Sequence, residues 1–141
     1  MKKLNLFTML FVLICSFTAY GQLYKNHKHE NIKNMDTSKI KNTMVKQAVD
    51  AFQSSDVNKW ISLFAEDAVL LDDGKPRDLK GFSTHAIKTE NFTSIDKIED
   101  NGNSVYGHFH SDEWGDFKAY FKFHFNEQGK INMLEIGQAD Y

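Results

Sequence analysis

Cysteine is almost missing from this chain, which has one, Cys15, in 141 residues. Because Cys15 lies in the apolar leader described below, the rest of the chain has no thiol to act as a nucleophile and no pair to form a disulfide. Stability must then come from packing. No basic run is present that could track a nucleic-acid backbone or an anionic membrane, so neither partner is expected. No glycine-rich phosphate loop and no serine, histidine and aspartate set with a hydrolase signature occurs, so nucleotide binding, nucleophilic catalysis and a bound cofactor are not expected. There is no internal repeat and no low-complexity tract.

One long apolar run is present. It extends from Leu4 through Phe17, broken by Asn5, Thr8 and Ser16, behind Lys2 and Lys3 and ahead of Ala19-Tyr20-Gly21. A basic start, an apolar stretch short for a bilayer and small residues flanking a cleavage point read as an export signal over residues 1–21. An uncleaved anchor is the competing reading, whereas Ile14 before Cys15 departs from a lipoprotein pattern. The expected location is periplasmic or secreted, with no membrane association after removal of the signal. Removal would leave 120 residues, one ordinary domain, with 15 basic against 19 acidic side chains. Residues 22–36 are polar and aperiodic and read as a flexible tether, leaving 37–141 as the domain.

Asp36-Thr37-Ser38 offer N-cap side chains, and Ile40, Met44, Val45, Ala48, Val49 and Phe52 recur at helical spacing. Ser54-Ser55-Asp56 breaks and recaps, and Val57, Trp60, Ile61 and Phe64 make a second, shorter face. Residues 68–72 are strand-like, Asp73-Gly74-Lys75-Pro76 reads as a turn, and 82–88 as a third short helix after Gly81. From Phe92 the period becomes two. Residues 95–99, 104–111, 117–125 and 131–139 read as antiparallel strands joined at Asn101-Gly102, Trp114-Gly115 and Gln128-Gly129. Helices followed by a curled meander predict an α+β domain. Phe117, Ala119, Phe121, Phe123 and Phe125 alternate with Lys118, Tyr120, Lys122 and His124, so the phenylalanine face is buried and the other is wet or used for self-association.

This order of parts, with Phe64-Ala65-Glu66-Asp67-Ala68-Val69, then Gly81, then Phe125-Asn126-Glu127-Gln128-Gly129-Lys130-Ile131, resembles the nuclear transport factor 2-like superfamily and its SnoaL-like group. The resemblance covers residues 37–141 and implies a cone-shaped curved antiparallel sheet covered by N-terminal helices around a deep pocket. Family members include ketosteroid isomerase, cyclases, dehydratases and non-enzymatic binding domains, so function does not follow from fold. The resemblance places Asp72 where the isomerase has its general base. The isomerase's oxyanion positions correspond to Ala48 and Phe121, which departs from that chemistry.

Asp72 is thus a candidate base, if apolar neighbours desolvate it, or simply a turn residue before Gly74. His108 and His110 share a face of one strand. A two-residue loop at Trp114-Gly115 turns Tyr106, His108 and His110 into the pocket, where the histidines could pass protons. A three-residue loop slips the register, turns both histidines outward and leaves Val105 and Phe109 inside. Turn chemistry and the family comparison favour the first; the apolar character of Val105 and Phe109 favours the second. A third ligand is not evident, so no metal is expected. Trp60, Phe64, Phe121, Phe123, Leu134 and Ile136 are expected in the core and pocket wall, with Gln138 as a polar contact. Three functions remain open: binding of a small, largely apolar molecule, cofactor-free acid–base catalysis by Asp72 with His108 or His110, and a dimerising module using Lys118, Tyr120, Lys122 and His124.

Overall fold

In the computed structural model, residues 35–141 are described. The expected signal and nearly all of the expected tether lie outside the described residues. Met35 packs against the core and its sulfur accepts from Gln53 at 3.7 Å, so the packed domain includes residues just before the expected boundary at 37.

Helix α1 spans Thr43–Gln53, and its N-cap is Asn42, whose side-chain oxygen accepts from the amides of Met44 and Val45. The expected cap at Asp36 to Ser38 instead forms a local turn, with Ser38 donating to the Asp36 carboxylate. Asn42 wins because it stands immediately before the buried face of Val45, Ala48, Val49 and Phe52, where two first-turn amides need an acceptor. Ser55 takes a left-handed conformation, φ 57°, and Asp56 caps α2, Val57–Ser62. Phe64, expected on the face of α2, opens strand β1, Phe64–Asp72.

Asp73 and Gly74 both have positive φ, 46° and 77°, the geometry of a tight primed hairpin turn. This turn leads to β2, Lys75–Arg77, so the expected turn is two residues shorter and Pro76 sits in a strand at the sheet's edge, where its missing N–H is tolerated. Helix α3, Leu79–Thr89, starts three residues earlier than the sequence pattern suggests, because Asp78 caps it by accepting from Lys80 and Gly81. A Cβ on Gly81 would lie 2.5 Å from that carboxylate, so glycine is what lets the cap close.

Short strands β3, Glu90–Phe92, and β4, Lys97–Glu99, precede the long strands β5, Ser104–Ser111, β6, Gly115–Phe125, and β7, Ile131–Gln138. The seven strands form one open, curved sheet in the order β2-β1-β7-β6-β5-β3, with β4 also on β5. Every ladder is antiparallel except β1 with β7, which run parallel, so the sheet is mixed at that junction.

The core fills the space between the helices and the concave face. Phe52 of α1 meets Trp60 of α2 at 5.2 Å and Phe121 of β6 at 5.3 Å, and Phe92 meets Phe109 and Phe121 at 4.9 Å. Each such buried ring contributes about 1.5–3 kcal/mol by leaving water. Trp60 keeps its N–H satisfied by donating to the buried Ser83 hydroxyl of α3 at 2.8 Å, which ties two helices together inside the core.

Candidate ligand-binding site

Between β5 and β6 the turn is Asp112 to Trp114, and the register pairs Ser111 with Gly115, His110 with Asp116, His108 with Lys118 and Tyr106 with Tyr120. This is the three-residue loop, not the two-residue loop that turn chemistry and the family comparison favour. The apolar pattern decides it: Val105 and Phe109, both at most 3% exposed, take the concave face, and period two then sends Tyr106, His108 and His110 to the convex face. Tyr106, His108 and His110 are therefore not contacts of the concave cavity. Gly107 keeps this arrangement possible, since the Ser94 carbonyl occupies the place of its Cβ at 1.9 Å.

On the convex face the side chains join a different network. Asp96 accepts from Ser94 and from the Tyr141 hydroxyl at 2.6 Å, and the His108 Nδ1 lies 2.8 Å from it. Burial, and then the bond to Asp96, pushes the Tyr141 phenol up to about 12. Lys97 lies 4.9 Å over the Tyr106 ring and Lys118 4.4 Å over that of Tyr141. His110 pairs with Asp116, and His124 with Glu135 at 3.0 Å.

On the concave side, a cavity of about 500 Å³ opens where the β1–β2 turn, α3, the β5–β6 hairpin and the end of β7 converge. Its floor is apolar, formed by Phe109, Phe117, Ala119, Phe121 and Ile136. Asp72, Arg77, Phe82, Glu90 and Trp114 form its mouth and are shared with an adjoining recess of about 480 Å³ that adds His85 and Glu113. Of the expected ligand contacts, Phe121, Ile136, Asp72 and Gln138 line the cavity. Trp60, Phe64, Phe123 and Leu134 do not. They are buried core, at most 7% exposed, and act by holding the wall in place.

Asp72 reaches the mouth because its Cα partner across β1–β7 is Ile136, a concave-face residue. It meets Arg77 there, whose Nη2 and Nε lie 3.0 and 3.1 Å from one carboxylate oxygen. The expected base is thus an ion-pair partner.

The group with the more unusual setting is Glu90, which the sequence reading missed. It opens β3 opposite Ser111, whose hydroxyl donates to it at 3.0 Å. Burial pushes its carboxyl above the ordinary 4.5, against the pull of the Ser111 bond and of His85, with Asp72 and Glu113 adding to the rise. A half-buried carboxyl that retains its proton more readily than usual, beside an apolar cavity, can donate or accept a hydrogen bond there. Only its place at the end of an amphipathic helix, facing a long strand, could have signalled it.

No protein-family model matches the chain, and no curated protein matches it in sequence. Solved structures do match in fold. A SnoaL-like protein from Burkholderia thailandensis aligns over 75% of this chain and 98% of its own, at 13% identity and a TM-score of 0.54. A nuclear transport factor 2-like protein from Cytophaga hutchinsonii aligns over 68% and 87%, at 14% identity and 0.54. The Anabaena (Nostoc) orange carotenoid protein, in a structure binding canthaxanthin, aligns over 69% of this chain at 22% identity and 0.56. This chain matches 35% of that protein's length. The chain therefore has the α+β cone fold of the nuclear transport factor 2-like, SnoaL-like and cystatin-like proteins.

Proposed function

We propose that the domain binds a small molecule, largely apolar, in the concave cavity. The observation that carries this is the cavity itself, about 500 Å³ with a phenylalanine floor and a few polar groups, Asp72, Glu90 and Gln138 among them, in its lining. That a fold neighbour binds a carotenoid supports an apolar occupant. The leader at residues 1–21 supports an exported protein, which a mature N-terminus at Gln22 would establish. Native mass spectrometry of the protein from its own host tests the binding reading. A retained small-molecule adduct is expected, and the absence of both an adduct and any saturable apolar ligand would overturn it.

Acid–base catalysis is a second reading, and Glu90 is what favours it. With Asp72 paired to Arg77 and both histidines on the convex face, Glu90 is the carboxyl placed to move a proton in the cavity. Turnover indifferent to Glu90→Gln would remove that reading. The convex face, with Tyr106, Tyr120, Tyr141 and their lysines, is where a second copy would dock. A monomer in sedimentation at high concentration would argue against it.

A further inference from the structure

The cavity's mouth has an unbalanced charge. Asp72, Glu90 and Glu113 stand around it, and among the described lining residues Arg77 is the one lysine or arginine. Arg77 is engaged with Asp72, which leaves His85 as the other group there able to carry positive charge. Glu90 has a neutral hydroxyl as its hydrogen-bond partner, and it feels His85 as an opposite charge but both Asp72 and Glu113 as like charges. Glu90, a half-buried carboxylate in that position, calls for a further positive counterpart.

An independent feature points the same way. Trp114, at the tip of the β5–β6 hairpin, is 72% exposed, yet it lines both the cavity and the recess. A large indole held in water at a cavity mouth loses apolar contact that the core could have given it. Its π face is the best protein surface for a cation, and Phe82 adds a second ring at the same mouth.

We infer that the occupant is an organic cation, an amine on an apolar body, with its nitrogen at the Asp72–Glu90 mouth beside Trp114 and its body on the phenylalanine floor. This inference rests on the cavity-binding reading and gives it a ligand class. An amine supplies both parts at once: a charge the mouth does not balance and a body that suits the floor. A carboxylate ligand would add repulsion, and a neutral one would leave the mouth as it is.

The test is calorimetric titration of the 141-residue chain at neutral pH with phenylbutylamine, phenylbutanol and phenylbutyrate, which share one apolar body. The amine is expected to bind about tenfold or more tighter than the alcohol, the order of a charge-assisted pair with a cation–π contact, and the acid weakest. Glu90→Gln, which can still accept from Ser111, should reduce the amine's advantage over the alcohol to a few-fold. Trp114→Ala, on an exposed turn with little bearing on folding, should weaken the amine again. An alcohol or acid binding as tightly as the amine overturns the cation and leaves the cavity reading standing. An amine preference indifferent to both substitutions overturns the site. Failure of all three compounds to bind overturns the cavity reading and the inference with it.

Discussion

Glu90 and Ser111 are direct partners across the β3–β5 ladder, and the Ser111 hydroxyl donates to the Glu90 carboxylate at 3.0 Å on the cavity side of the sheet. The same hydroxyl also accepts from the amides of Glu113 and Trp114 at 3.3 Å, so it links the cavity carboxyl to the turn that carries the exposed indole.

A pH dependence of stability follows. The folded-state value of Glu90 is raised above the ordinary 4.5, mainly by burial, so between these two values the native state holds a proton that the unfolded chain has lost. Stability from this group is therefore complete below 4.5 and is lost as pH rises through the folded value. Glu90→Gln removes the loss. Thermal unfolding should show the variant gaining relative to the parent from pH 4 to pH 8, by about a degree or a few, the effect screened because the group is half-exposed. A constant difference across that range would count against the assignment.

Trp60 and Ser83 give a second expectation. The indole N–H donates to the Ser83 hydroxyl at 2.8 Å, which in turn donates to the Leu79 carbonyl at 2.6 Å, and both side chains are fully buried. Ser83→Ala should cost about 1–3 kcal/mol in denaturant unfolding, because the indole donor is left without a partner away from water. A loss within experimental error would mean that another acceptor takes its place.

Much of the fold was legible because burial imposes period. The phenylalanine face of β6 and the buried face of α1 are where alternation and helical spacing put them, with Phe121 and Ile136 on the expected face, whereas Phe64 leaves the face of α2 to open β1. What was not legible was decided by single partners in space. The cap at Asn42 beat that at Asp36 through two amide bonds, and α3 began at Leu79 because Gly81 admits Asp78. Turn chemistry and the apolar pattern pull the histidine strand to opposite registers, and Val105 and Phe109 decide it, because a one-residue slip costs a whole apolar face. Glu90 was missed because its role comes from Ser111 and Asp72, distant in sequence.

Gly107 is the position whose substitution should do most harm for its size. A Cβ there would fall 1.9 Å from the Ser94 carbonyl oxygen and 3.2 Å from the Phe92 ring, and the first of these is backbone that cannot rotate away. Gly107→Ala should force the β3–β4 connection off β5 at a cost of about 3 kcal/mol or more. Amide exchange should show protection lost first at Thr93 and Asp96, whose N–H groups bond to the carbonyls of His108 and Tyr106. An alanine variant as stable as the parent would require Ser94 to lie elsewhere.

Ala119 and Phe123 share a face of β6, both at most 3% exposed, but only Ala119 lines the cavity, and this difference separates packing from binding. Phe123→Ala should cost about 3–5 kcal/mol, because a buried ring leaves a hole in closely packed surroundings. Ala119→Leu adds apolar atoms where about 500 Å³ is open, so its stability should stay within about 1 kcal/mol of the parent while the side chain occupies the floor on which a ligand body would rest. Measured together by thermal unfolding and phenylbutanol titration, the leucine variant should keep its melting temperature and lose about tenfold in affinity. A variant that unfolds early would mean the cavity is narrower than it stands here. One that keeps both stability and full affinity would place the binding site somewhere other than this cavity.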